Sequence, residues 1–359
     1  MKVAVILGTR PEIIKLAPII RILEREALDY FILHTGQHYS YNMDKVFFEQ
    51  LELPEAKYNL DVGSGLHAEQ TGKMLIGVER VLLREQPSIV LVEGDTNTVL
   101  AGALAAVKLG IKVGHVEAGL RSYDRQMPEE INRVLADHCS DLLFAPTEKA
   151  RQTLLGEGIA SEKIFVTGNT IVDAVYQNLE IAKKKINVLN NFGVRAGGYF
   201  LVTVHRQENV DNEKRFRGIL KGLELVNREF GLPVLYPIHP RAWKQLKTFD
   251  ITFKGIRIVD PLDYLSFLML ENNARLVLTD SGGVQEETCI LGVPCVTLRY
   301  NTERPETLEV GSNILAGTEP DEIVKKVDFM LNKECNWPNP FGDGKAGQRI
   351  VEILKEKFG

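Results

Sequence analysis

Apolar residues in this chain alternate between short unbroken runs and longer stretches where they recur every three or four positions. The runs at 3–7, 30–34, 88–92, 112–116, 141–145 and 164–166 predict buried strands. The periodic stretches between them predict helices from 12 to about 26, near 41–50, at 69–85 and 98–109, from 128, and from 147 to about 155. A Lys-rich helical stretch at 173–188 leads to Asn190-Asn191-Phe192-Gly193, which reads as a linker. The alternation then starts again. Strands are expected at 199–204, 233–238, 256–259, 274–278 and 295–298, and helices at 213–228, 264–272, 284–291, 321–331 and 348–357. Strand–helix alternation of this kind implies right-handed crossovers around parallel sheets, so the fold class is α/β with two similar domains.

In such sheets ligands sit beyond the carboxyl ends of the strands, so the residues that follow each run carry the interest. The richest corner is Leu278-Thr279-Asp280-Ser281-Gly282-Gly283-Val284-Gln285-Glu286-Glu287. A strand runs through a Gly-Gly turn onto a helix N-terminus, where unpaired N–H groups and the helix dipole favour an anion such as a diphosphate. Glu286 and Glu287 would repel phosphate, so at least one is expected to accept from neutral hydroxyls such as those of a ribose. A second corner of the same type is Gly8-Thr9-Arg10-Pro11-Glu12, with Arg10 and Lys15 as the nearest cations. Arg10, Asp95 and Glu117 follow separate strands and could converge on one crevice. Asp95, Glu117, Glu130 and His205 are candidate acids and bases. Arg10, Lys15, His239, Arg304 and the backbone of Ser281, Gly282 and Gly283 are candidate anion binders. His34 and His38 have helical spacing for a metal, but Thr35-Gly36 between them breaks a helix, so a loop is expected.

Composition narrows the partners. A length of 359 residues suits two domains. The net charge of −5 argues against nucleic acid or an anionic membrane surface, so a phosphate ligand must be held by local positive groups. No run of 18 apolar residues is present, and the apolar start at 1–7 is too short for a signal peptide. The four cysteines form no CxxC and no zinc spacing, and read as buried reduced thiols of a cytoplasmic protein. Neither GxGxxG nor a Walker A loop occurs, so no hydride-transfer cofactor is indicated and none is expected. No metal is expected either.

Taken in order, these motifs resemble those of the non-hydrolysing UDP-N-acetylglucosamine 2-epimerases over nearly the whole chain. The first half carries Gly8-Thr9-Arg10-Pro11-Glu12, Gly94-Asp95-Thr96, His115-Val116-Glu117-Ala118-Gly119-Leu120-Arg121 and Pro128-Glu129-Glu130-Ile131-Asn132-Arg133. The second half carries His205-Arg206-Gln207-Glu208-Asn209, His239-Pro240, the 280–287 motif and Thr302-Glu303-Arg304-Pro305-Glu306. The resemblance implies a glycosyltransferase B-type fold, two Rossmann-like domains facing a cleft. Residues 1–172 would form the domain with the catalytic carboxylates, 345–359 would pack back onto it as a helix, and 190–344 would bind UDP. It also implies a cytoplasmic homodimer that takes a UDP-sugar and serves cell-surface polysaccharide synthesis.

The implied reaction is epimerisation at C2 of UDP-GlcNAc to UDP-ManNAc, by elimination of UDP to a 2-acetamidoglucal and re-addition. That fits the residues: C2–H is not beside a carbonyl, so direct proton exchange without a redox cofactor is implausible. By resemblance Asp95, Glu117, Glu130 and His205 carry the chemistry, with Glu117 and Asp95 first for the C2 proton. Which is base and which stabiliser stays open. Arg10, His205 and Ser281–Gly283 would hold the diphosphate, Glu287 the ribose, and the 262–267 segment with Phe267 the uracil. Closure of the domains is expected to keep water from the intermediate. Bacterial relatives often have Gln at Leu262 and Thr-Gly at Ser122-Tyr123. Many bind a second UDP-GlcNAc through a Gln-His pair and an Arg. Gln37 and His38 match the pair as a possible allosteric site, whereas Glu69 stands where the Arg would be. A 2-epimerase of a modified sugar, such as a UDP-diacetamido-uronic acid, shares these motifs. A glycosyltransferase would release UDP only with an acceptor present, and a non-catalytic sensor would have no use for so many acids and bases.

Overall fold

The computed structural model describes residues 1–37 and 41–359, with residues 41–44 as backbone alone. It contains two compact units, Met1–Gln177 with Phe341–Gly359, and Asn178–Pro340.

In the first unit the described residues form seven strands: β1 (Lys2–Leu7), β2 (Asp29–His34), β3 (Tyr58–Asn59), β4 (Ile89–Glu93), β5 (Lys112–Val116), β6 (Leu142–Ala145) and β7 (Ile164–Val166). All pairings are parallel, in the order β3-β2-β1-β4-β5-β6-β7. β1 and β4 are buried along almost their whole length, as expected for parallel strands covered by helices on both faces. Val78, Leu82, Val99 and Ala103, from the helices His67–Glu85 and Asn97–Lys108, close over Ile6, Val90 and Val92. The last helix, Ala346–Phe358, belongs to this unit. The Asp173 carboxylate accepts from the N–H groups of Ala346 (3.1 Å) and Gly347 (2.9 Å) at its start. A Cβ on Gly347 would lie 3.2 Å from Pro18, so the small residue lets this helix approach helix Arg10–Arg25.

The second unit repeats the plan with β8 (Phe200–Thr203), β9 (Val234–Pro237), β10 (Ile256–Val259), β11 (Leu276–Thr279), β12 (Cys295–Thr297) and β13 (Asn313–Leu315), again parallel. Its order is β10-β9-β8-β11-β12-β13. Each sheet therefore reverses direction once, between β1 and β4 and between β8 and β11. A ligand is best received beyond the strand ends at these switch points.

Several elements differ from the sequence reading. β3 and β13 have two and three residues, too few for a readable period. Helices Pro240–Thr248 and Pro305–Glu309 open on prolines at points where the sequence reading assigned no element. The expected linker at 190–193 sits instead against the second unit's core, where Leu189 and Phe192 join Val188, Tyr199 and Leu270. The division between the units falls inside helix Thr170–Lys185. Of the cysteines expected to be buried, Cys289 and Cys295 are, but Cys139 is half-buried and Cys335 exposed; all four are free. No helix among the described residues is long and apolar enough to cross a membrane.

Candidate active site

In the first unit the candidate carboxylates gather at the ends of β4 and β5, beside the start of helix Arg10–Arg25. Glu117 directly follows β5, and its backbone is left-handed (φ 68°). For a residue with a Cβ this costs on the order of 1 kcal/mol, so the surrounding structure must impose it. The Glu117 carboxylate binds the Lys15 ammonium and accepts from the Asn169 amide at 3.0 Å. Lys15 also lies 3.3 Å from Glu93, the last residue of β4. It had been expected to bind an anionic ligand, yet it is buried and its charge is placed between two carboxylates. Burial raises the Glu93 pKa well above the ordinary range, countered by Lys15 and reinforced by the charges of Glu117, Glu12 and Asp95.

Asp95 is bound by Arg133, which also reaches Glu130 at 3.2 Å. Glu130 is buried and accepts from the Ser122 N–H and hydroxyl and from the Tyr123 N–H, each at 2.9 Å. Burial opposes its charge, but these donors and Arg133 outweigh it and hold its pKa below the usual value. The departure at Ser122-Tyr123 is thus clasped by Glu130 itself. Arg10 is the first residue of its helix, and its guanidinium lies 5.6 Å from the centre of the Phe47 ring. Glu12 turns back to accept from the N–H groups of Gly8 (2.5 Å) and Thr9 (3.0 Å) and from the Thr96 hydroxyl. Burial pushes its pKa up to about 7 against the pull of these hydrogen bonds. Gln37 is buried, and its side-chain oxygen accepts from the Thr98 N–H (3.1 Å) and hydroxyl (2.8 Å). His38 lies outside the described residues, and Glu69 is exposed and paired with Lys73.

In the second unit the groups collect at the ends of β8 and β11. Asp280 is fully buried, and its carboxylate accepts from the backbone N–H groups of His205 (3.1 Å) and Arg206 (3.0 Å) and from the Asn209 amide (3.1 Å). The His205 ring nitrogen Nδ1 is 3.2 Å from the same carboxylate. The His239 ring lies 5.7 Å from the His205 ring. Nδ1 of His239 accepts from the Arg241 N–H (3.1 Å), which leaves its proton on Nε2 as a donor. Burial, then the charges of His205 and Arg241, lower its pKa and keep it neutral.

Ser281 caps helix Gly282–Leu291 without a side-chain hydrogen bond, so the first N–H groups have no hydroxyl folded over them. Beyond its chain neighbours and its own helix backbone, a Cβ on Gly282 would meet nothing closer than the Glu303 side chain at 3.8 Å, so packing against the rest of the unit does not require glycine there. Arg304 pairs with Glu286 at 2.7 Å, while Glu287 accepts from the Tyr264 hydroxyl at 3.0 Å. Glu286 is thereby committed to a cation, which makes Glu287 the acceptor for neutral hydroxyls. Phe267 is half-buried in the same cluster as Leu262.

The structure thus brings Lys15, Asp95, Glu117 and Glu130 together in one unit, and His205, His239 and the 280–287 corner in the other. Sequence reasoning missed Glu93, Glu12, His115 and Asp137 as members of these groups. Glu93 had a readable signal, a carboxylate ending an otherwise apolar strand beside Gly94-Asp95. Among the described residues no cluster of His, Cys, Asp and Glu is arranged to hold a metal ion.

Comparison with known proteins identifies the family. The family model for UDP-N-acetylglucosamine 2-epimerase matches residues 21–355. A UDP-N-acetylglucosamine 2-epimerase of Methanocaldococcus jannaschii is 61% identical over 99% of both chains. A UDP-2,3-diacetamido-2,3-dideoxy-D-glucuronate 2-epimerase of Pseudomonas aeruginosa is 40% identical over 99% of both chains. The crystal structure of the Methanocaldococcus jannaschii UDP-GlcNAc 2-epimerase in complex with UDP-GlcNAc and UDP matches with a TM-score of 0.88, covering 99% of this chain and all of that one. The architecture is accordingly glycosyltransferase B-like, and the chain belongs to the UDP-N-acetylglucosamine 2-epimerase family.

Proposed function

We propose that this protein interconverts UDP-GlcNAc and UDP-ManNAc by eliminating UDP and adding it back. The C2–H bond breaks and its electron pair becomes the C1–C2 double bond. The C1–O pair leaves with UDP, giving a 2-acetamidoglucal; reversal with the proton delivered to the other face of C2 inverts that centre. The observation that carries this reading is the division of labour between the two switch points. One gathers carboxylates around Lys15 and Arg133; the other offers helix N–H groups, a neutral His239 and Glu287.

In this reading Glu117 or Asp95 moves the C2 proton. Lys15 pairs with Glu117 and Arg133 with Asp95 in the free enzyme. Glu130, held below its usual pKa, stabilises positive charge at C1. Arg10, His205, the His239 Nε2–H, Arg304 and the N–H groups at Ser281–Gly283 hold the diphosphate after it has parted from the sugar. Glu287 accepts from the ribose, and Phe267 packs near the uracil. Gln37 and His38 would contribute to a second, allosteric UDP-GlcNAc site. A cytoplasmic homodimer serving polysaccharide synthesis completes the reading on family resemblance, and light scattering at twice the chain mass tests the dimer.

The experiment is incubation with UDP-GlcNAc alone in deuterated water, followed by proton NMR. UDP-ManNAc with deuterium at C2 is expected. Unchanged UDP-GlcNAc, with turnover of a UDP-diacetamido-glucuronate instead, would move the assignment to the second sugar, which the Pseudomonas aeruginosa relative makes the next candidate.

A further inference from the structure

His115, the fourth residue of β5, is fully buried, and both of its ring nitrogens have partners. Nε2 lies 2.8 Å from the Gly94 carbonyl oxygen, which can only accept, so Nε2 carries a hydrogen. Nδ1 lies 2.7 Å from Asp137 Oδ1. Asp137 Oδ2 already takes N–H groups from Arg121 (2.7 Å) and Gly119 (3.2 Å), so this carboxylate is an anion and Nδ1 carries a hydrogen too. The ring is an imidazolium.

The cation sits where two turns meet. Gly94 (φ 84°) leads directly into Asp95. Glu117 is two residues beyond His115 and left-handed, and Gly119 (φ 85°) follows, with no room for a Cβ, which would lie 2.5 Å from the Ala150 carbonyl oxygen. Arg121 extends the cluster with a two-pronged pair to Glu157. One buried ion cluster therefore fastens the turn after β4 through Gly94 and the turn after β5 through Gly119 and Arg121.

We propose that His115 is a positioning residue which, shared between Gly94 and Asp137, holds Asp95 and Glu117 in the relative geometry that proton transfer at C2 requires. The inference rests on reading those two carboxylates as the groups that act at the sugar. The charged groups facing His115 are Asp137, from helix Pro128–Cys139, and Glu117. Burial disfavours the ring's charge, but Asp137, the Gly94 oxygen and Glu117 outweigh it and raise the His115 pKa.

Two amide substitutions separate the contacts. In His115→Asn the amide nitrogen replaces Nδ1 and keeps Asp137, while the Gly94 bond is lost. In His115→Gln it replaces Nε2 and keeps Gly94. A misplacement of about 1 Å at reacting groups can cost on the order of a hundredfold, so H115N and H115Q, each of which keeps one side of the bridge and loses the other, should both lower kcat by at least about tenfold. KM for UDP-GlcNAc should stay within about twofold in both, because the contacts that hold UDP are elsewhere. Near-wild-type kcat in either amide, or a loss in KM rather than kcat, overturns the proposal. Glu117→Gln is run beside them: if it keeps wild-type turnover, the reading of Glu117 fails whatever the His115 variants do. Should either amide not fold, the ring 1H–15N spectrum of the wild-type protein at neutral pH decides. Two bonded N–H signals are expected for His115, and a single one overturns the proposal.

Discussion

Both carboxylate oxygens of Asp280 lie 3.1 Å from the backbone nitrogen of His205, and the His205 ring returns to the same carboxylate at 3.2 Å. Asp280 is thus the fastening of the turn after β8, and the groups proposed to hold the diphosphate depend on it at one remove. Asp280→Asn should detach that turn and cost about 3 kcal/mol of stability, as expected when one partner of a buried ionic contact is removed. Burial raises the carboxyl pKa, but His205, the Arg206 N–H and Asn209 outweigh it and hold it below the ordinary 3.8. The stabilisation it gives is therefore present above pH 3.8 and is lost as the pH falls through its native value. Urea unfolding of D280N and wild type should differ near neutrality and converge in strong acid. Equal stability at neutral pH would show that the carboxylate's charge is not needed.

Gly282 supplies a prediction with little cost to the fold. Its Cβ position is open, with the nearest atoms beyond its chain neighbours and its own helix backbone, on Glu303, Arg206 and Arg304, at 3.8 to 3.9 Å. A valine there should fold normally and obstruct only a ligand that approaches the helix N-terminus. We expect Gly282→Val to melt within a few degrees of wild type and to weaken UDP binding at least about tenfold, the loss of roughly 1.4 kcal/mol of anion contact. Unchanged affinity by titration calorimetry would remove this corner from the diphosphate site.

How far the sequence could be read depended on range. β10 was legible at both ends, and helix Tyr264–Asn273 to one residue, because their pattern is local. The strand–turn–helix corner at 281–283 was legible because glycines, a strand and a helix lie within ten residues. Lys15 was not. Its two partners reach it only when β1, β4 and β5 lie side by side, and Glu117 is 102 positions away in the chain. Nothing near Lys15 reveals that its charge is used internally. Asp280 had the same difficulty: a local reading makes it a helix cap, whereas its partners at 205 and 206 come from the neighbouring strand's turn. Residues proposed to touch ligand announced themselves by motif, and residues that hold those residues did not.

Glu117 separates chemistry from binding. It sits in the carboxylate group of the first unit, held by Lys15 and Asn169, while the proposed UDP contacts, Arg10 apart, are on the second. Glu117→Gln keeps the shape and the Asn169 contact but removes the proposed base. Turnover should fall by at least about a thousandfold, the upper range for losing a general base, with UDP affinity within about twofold of wild type. Proton NMR of UDP-GlcNAc in deuterated water reads the first, and calorimetry with UDP reads the second. Wild-type exchange at C2 in the variant would take Glu117 out of the mechanism and leave Asp95 as the base.

Glu12 gives the clearest pH signature. Its carboxyl is buried at the start of helix Arg10–Arg25, and burial lifts its pKa from 4.5 to about 7 despite hydrogen bonds from Thr96, Gly8 and Thr9. Between those two values the folded chain holds a proton that the unfolded chain has released. Stability must therefore fall as pH rises from 4.5 to about 7, by about 3 kcal/mol at most for this one group. Glu12→Gln cannot titrate, and its amide can still accept from Gly8 and Thr9 through oxygen and donate to the Thr96 hydroxyl through nitrogen. The variant should lose that downward slope and overtake wild type towards pH 7. Urea midpoints measured at half-unit steps from pH 4.5 to 7.5 test this; parallel curves for the two proteins would mean that Glu12 is ionised in the native state across the whole range, with its hydrogen bonds outweighing burial.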